Sequence, residues 1–87
     1  MVKPYTNIYN EDGSFVRVFD KDVDPEELVW HRDERDRTIR VIRGNDWMFQ
    51  FDDEMPISIN RVTTIPKMVY HRLIKGEGDL VIEVREQ

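Results

Sequence analysis

His31 and His71 are the only two histidines of the chain, and Asp33 stands two residues after the first. Residues two apart on a strand point to the same side, so His31 and Asp33 share a face. His71 comes much later, yet an antiparallel fold can bring such distant strands together. The result would be two imidazoles and one carboxylate around one point. Non-heme iron enzymes hold their metal with that set, on one face, and leave positions open for substrate and oxygen. Manganese, zinc or nickel suit the same donors. The plainer alternative is two ordinary histidines in half-buried strands, each satisfied by a nearby carboxylate or carbonyl.

Other chemistries find little support. The chain has no cysteine, which removes disulfides, thiolate metal sites and cysteine nucleophiles. Ser14 and Ser58 have no base close by in sequence. Gly76-Glu77-Gly78 is a hairpin turn and lacks the strand-to-helix setting of a phosphate loop. Asp20, Asp22 and Asp24 alternate as in a calcium loop, but the required glycine and distal glutamate are missing from their positions. That segment reads as a solvated connection, with Asp24-Pro25-Glu26-Glu27 as a single helical turn.

The elements that must position these residues are strands. Ten Val, eight Ile and four Thr stand against three Leu and no Ala. The branched residues are stiff at χ1 and suit pleated strands, whereas Ala and Leu favour helices. Tyr5–Tyr9 and Ser14–Phe19 flank Asn10-Glu11-Asp12-Gly13 and predict a β-hairpin. Further strands are expected at Leu28–Arg32, Arg37–Arg43, Trp47–Phe51, Pro56–Ile59, Val62–Ile65, Met68–Ile74 and Leu80–Val84. Turn signals separate them, among them Gly44-Asn45-Asp46 and Gly76–Asp79. Trp47, Phe49 and Phe51 alternate and read as core. Trp30 and Tyr70 directly precede the two histidines and so face the opposite side. Short strands at such spacing predict an all-β fold, a small antiparallel barrel or sandwich, with less than about a tenth of residues in helix. With 87 residues the chain is expected to form one domain over 1–87, residues 1–24 being the N-terminal hairpin and connection and 25–87 the barrel.

The net charge is −5, which argues against a nucleic-acid partner because phosphate neutralisation needs a basic surface. Arg35, Arg37, Arg40 and Arg43 cluster, but Asp33, Glu34 and Asp36 lie among them, as on a solvated strand face. The first residues lack an apolar signal core, and no stretch approaches about 18 apolar residues. A soluble, cytoplasmic protein with no membrane partner is the expectation.

The spacing around the histidines resembles the cupin family. The first cupin motif is His-x-His, three or four residues, Glu, six residues, Gly. In His31–Gly44 the second His is Asp33, the Glu position is Arg37, and Gly44 is in place. The second motif is Gly, five residues, Pro-x-Gly, two residues, His, three residues, Asn. Asn60, Pro66, Met68, His71 and Lys75 occupy those positions, with Pro66 and His71 keeping the consensus type. The resemblance spans residues 25 to 84. It implies a cupin-like jelly roll, usually a homodimer, with a metal held inside by three His and one Glu. Carried over, His31, Asp33 and His71 are metal ligands and Arg37 is not.

Arg37 shares its strand face with Ile39 and Val41, so its guanidinium is expected inside. A fixed cation there repels a divalent ion unless Asp33 neutralises it. Two readings follow. One is a small metal-dependent protein acting on or binding a small acidic molecule, with iron, manganese, zinc or nickel at His31, Asp33 and His71, and Arg37 holding the anion. The other is a metal-free, non-catalytic binding or assembly module in which Asp33 and Arg37 form an internal ion pair. A third idea uses His31 as a base on a sugar without metal.

Overall fold

Residues 3–44, 46–59 and 62–87 are described by the computed structural model; Asn45 of the turn and Asn60 of the second motif lie outside the described residues. Among the described residues eight strands form: β1 (Thr6–Tyr9), β2 (Phe15–Phe19), β3 (Arg37–Arg43), β4 (Met48–Phe51), β5 (Ile57–Ser58), β6 (Thr63–Ile65), β7 (His71–Ile74) and β8 (Leu80–Glu86). The helical content of the described residues is one 3-10 turn at Pro25–Glu27, capped by the Asp24 carboxylate and opened by Pro25.

Every pairing between strands is antiparallel, and they sort into two sheets. The larger has the order β1-β2-β8-β3-β6 and the smaller β5-β4-β7. Alternation decides what fills the space between them. Phe15 and Phe19 of β2, Ile39 of β3, and Leu80, Ile82 and Val84 of β8 are buried from the larger sheet. Trp47, Phe49 and Ile59 join them from the smaller-sheet side. Sheets with one apolar face apiece bury those faces against each other, which gives a jelly-roll sandwich.

The opposite face is wet and salted. Arg40 of β3 and Glu83 of β8 lie opposite each other and form an ion pair at 3.2 Å. The arginine cluster therefore splits by strand alternation, with Arg40 outward and Arg37 half-buried on the inner side.

Two of the expectations are altered here. Leu28–Arg32 forms no strand: its pairing is a single bridge at His31. The N-terminal hairpin is not separate from the motif-bearing part. β2 pairs with β8 from Phe15↔Val84 to Phe19↔Leu80, so it lies inside the larger sheet and supplies two core phenylalanines. Tyr70 and Trp30 are partly exposed, and each is covered by an arginine. Arg72 lies 4.6 Å from the Trp30 ring and Arg32 5.2 Å from the Tyr70 ring.

Two backbone positions tie the fold to the motif spacing. Gly44 has φ +106°, and a Cβ there would meet the Asp79 carbonyl at 2.6 Å. Met68, at a glycine position of the second motif, has φ +64°, in the left-handed region that glycine adopts most cheaply. Its N–H donates to the Asp33 carbonyl at 2.7 Å, which fastens the turn before β7 to the segment carrying the acid.

Candidate functional site

His31 and His71 are brought together by the backbone. The His31 N–H donates to the His71 carbonyl at 3.0 Å, and the His71 N–H to the His31 carbonyl at 2.8 Å. Residues that exchange both bonds lie directly opposite, with side chains on the same face. Their ring centroids are 4.2 Å apart in an edge-on arrangement. His71 is buried and stacks on Phe49 at 5.4 Å, whereas His31 stands at the more exposed rim.

Each ring is fixed by its own chain. Nδ1 of His31 lies 3.1 Å from the Val29 carbonyl, and Nδ1 of His71 lies 2.9 Å from the Val69 carbonyl. A carbonyl can only accept, so each Nδ1 carries the proton and each neutral ring keeps a lone pair on Nε2. Burial pushes the His71 pKa down, and the neighbouring His31 and Arg37 act in the same direction. The Val69 hydrogen bond and Asp33 oppose them. The buried ring is thus held neutral, with Nε2 free to donate electrons.

Asp33 completes the group. Its Oδ1 takes Nη1 of Arg37 at 3.2 Å, and its Oδ2 lies 3.4 Å from Nε2 of His71. Oδ2 is buried and has no hydrogen-bond partner among the described residues. One donor atom from each of His31, Asp33 and His71 falls within 4.8 Å of the others. Two lone pairs and an unsatisfied carboxylate oxygen facing one point is a costly arrangement without a cation. It fits a divalent metal with two neutral imidazoles and one carboxylate as ligands, and the carbonyls behind the rings are the usual outer support of such ligands.

Arg37 lies where the spacing puts it, half-buried beside the group. It bridges Asp33 and also Glu86, whose Oε2 takes its Nε at 3.2 Å. The bridge to Asp33 uses one carboxylate oxygen. An ion pair and a metal ligand are not alternatives at Asp33, because one carboxylate has two oxygens and the structure separates them.

The group opens into a cavity of about 290 Å³ between the sheets. Its walls include Leu28, Ile39, Phe49, Ile65, Leu73 and Ile82. Arg17 and Tyr5 also line it, and neither entered the site expectations. The alternation Phe15-Arg17-Phe19 was the available signal, because it puts Arg17 on the face of two core aromatics. Glu86 carried no comparable signal, since its pairing with Arg37 depends on the register of β3 against β8.

No family model matches the chain, and no curated protein sequence matches it significantly. Solved structures do. A cupin-2 domain protein from Shewanella frigidimarina superposes with a TM-score of 0.66 at 20% identity, over 95% of this chain and 79% of that one. A cupin domain from Bordetella pertussis gives 0.62 at 16% identity, over 100% and 98%. The iron(II) form of HppE gives 0.67 at 13% identity over 95% of this chain, which spans about half of that longer protein, 48%. With its jelly roll and its likeness to these structures, the chain has the cupin fold.

Proposed function

We propose that this cupin-fold chain binds a divalent metal through His31, Asp33 and His71, and a small acidic molecule in the cavity beside it through Arg37. The observation that carries this reading is the buried, unpartnered Oδ2 of Asp33 lying 3.4 Å from Nε2 of a histidine whose other nitrogen is already bonded to a carbonyl. A proton on Nε2 would join the two, but burial disfavours the doubly protonated ring. A metal resolves the same conflict, and when bound it supplies a Lewis acid with open coordination positions.

The chain's own residues have separable tasks. The Val29 and Val69 carbonyls orient the rings. Arg37 draws Oδ1 of Asp33 to one side and leaves Oδ2 for the metal. Glu86 steadies Arg37, and the apolar walls flank the polar end. HppE is seen in iron(II) and cobalt(II) forms, which makes iron the first metal to try, with manganese, zinc and nickel beside it. The Arg37–Asp33 contact favours a second reading, a metal-free binding or assembly module balanced by that ion pair.

Elemental analysis of protein purified without a chelating tag distinguishes the two. About one equivalent of metal per chain, lost in His71→Ala, supports the metal reading. A metal-free parent that also shows no thermal shift with micromolar iron(II), manganese, zinc or nickel overturns it and leaves the module.

A further inference from the structure

Arg17 poses a question that the metal group does not answer. It lies in the middle of β2, between Phe15 and Phe19, and is paired in register with the buried Ile82 of β8. Strand alternation therefore drives its long side chain inward, among the core side chains. Buried charges are normally paired. Yet among the described residues Arg17 makes no ion pair, while Arg37, Arg40 and Arg85 each do. Its Nε donates to the Asn7 side-chain oxygen at 2.9 Å, and its guanidinium lies 3.7 Å from the centre of the Tyr5 ring. A neutral amide and an aromatic face hold the fork in place without neutralising it. Burial pulls its pKa below the ordinary arginine range, with Tyr5 and Asp33 opposing and Arg37 adding to the effect.

Arg17 and Arg37 thus reach one cavity from adjacent parts of the larger sheet, and both line it together with His31, Asp33 and His71. Arg37 is already shared between two carboxylates, whereas Arg17 is not. The lining carries two arginines, Arg17 and Arg37, and two carboxylates, Asp33 and the exposed Glu27, and Arg17 is the arginine that pairs with neither carboxylate.

The rest of the lining limits what that ligand is. No serine, threonine, asparagine or glutamine lines the cavity among the described residues. The polar groups that line it besides Arg17 are Tyr5, Glu27, Asp33, Arg37 and the two histidines, of which Asp33, Arg37 and both histidine Nδ1 atoms are already engaged. Leu28, Ile39, Ile65, Leu73 and Ile82 instead offer an aliphatic wall. A cavity of about 290 Å³ lies at the small end of ligand pockets, so it suits a small molecule. The planar guanidinium fork matches a carboxylate bidentately.

We propose that Arg17 is the principal anion-binding residue of the cavity and that the ligand is a small aliphatic carboxylate, its head on Arg17 and its chain against the apolar wall. This rests on the reading above only in placing an acidic ligand in the cavity; it moves the ligand's head from Arg37, already shared by Asp33 and Glu86, to Arg17, and it needs no metal to be tested.

The probe is butanoate, titrated calorimetrically into protein stripped of metal, with inorganic phosphate and glucose as comparisons. Butanoate should bind the parent in the millimolar range and bind Arg17→Gln at least about tenfold more weakly, the loss expected for a charge-assisted pair. Arg17→Lys keeps the charge but not the fork, so it should fall between them. Exposed Arg85→Gln should match the parent. A folding defect in the Arg17 variants is met by a measurement on the parent alone: butanoate should shift the Arg17 Nε–H resonance in a nitrogen-15 spectrum. Equal binding by parent and Arg17→Gln, or an unmoved Arg17 resonance at saturation, overturns the assignment. Tighter binding of phosphate or glucose than of butanoate overturns the carboxylate class. Metal titration of the same samples reads the earlier proposal separately. Iron(II) or zinc binding unchanged in Arg17→Gln but absent in His71→Ala leaves the two sites independent, so either can fail while the other stands.

Discussion

The space between the two sheets is filled in two different ways. Around Trp47, Ile59 and Leu80 it is solid: all three are fully buried, Trp47 packs on Phe19 at 5.6 Å, and its indole N–H donates to the Gly78 carbonyl at 2.8 Å. Around His31, Asp33, Arg37 and Arg17 it is hollow, and polar groups stand where methyl groups would stabilise more. The same strands run through both regions, since Phe49 of β4 and Phe19 of β2 border the cavity as well as the core. The contrast shows a division of work. One region closes every polar atom and fills its volume, which stabilises the sandwich. The other keeps a carboxylate oxygen and a guanidinium open, which costs stability and leaves a place for ligands.

The largest expected effect lies in the solid region. Trp47→Ala should cost about 3–5 kcal/mol, because it opens a cavity and orphans the Gly78 carbonyl. Urea unfolding curves check this, and a cost below about 1 kcal/mol would show that the two regions are not so different. In the hollow region, His71→Ala should be felt chiefly through ligand binding. The parent should gain about 2.7 kcal/mol of stability at a hundredfold excess of metal over its Kd, and the variant should gain none. Thermal shift measured with and without metal gives the comparison.

Arg37→Glu sharpens the contrast from within the hollow region. It puts a third carboxylate beside Asp33 and Glu86, so the metal-free variant should lose about 2 kcal/mol. Divalent metal should then bind it about tenfold more tightly than the parent, since a repelling cation has become an anion. Metal stabilisation seen in the variant alone would mean that the parent has given up its metal. The smallest effect belongs to Met68→Gly, which removes a left-handed non-glycine residue but loosens the unfolded chain. The net gain should be about 0.5 kcal/mol, or roughly 2–4 °C in melting temperature, with metal binding unchanged. A loss of metal binding in that variant would show that the Met68–Asp33 backbone contact does more than hold the turn.

Period-two alternation, branched residues and turn chemistry are local properties, and they made most of the fold legible in advance. The hairpin at Asp12-Gly13, the inward Trp47 and Phe49, the helical turn at Pro25 and the all-β class needed no knowledge of which strands meet. Spacing along one chain also singled out Gly44 and Met68, both of which have positive φ, and His71, which lies opposite His31. What escaped was decided between strands. Leu28–Arg32 has a strand's composition, but it finds a partner only at His31, so composition alone overstated it. Arg17 showed its direction in sequence, yet its lack of a carboxylate partner depends on which side chains surround it. The division of Asp33 between Arg37 and His71 is a matter of fractions of an ångström and of carboxylate orientation. Strand alternation could state that these four residues share a side. Only the packing of β3, β7 and the His31 segment against one another decided which oxygen each of them receives.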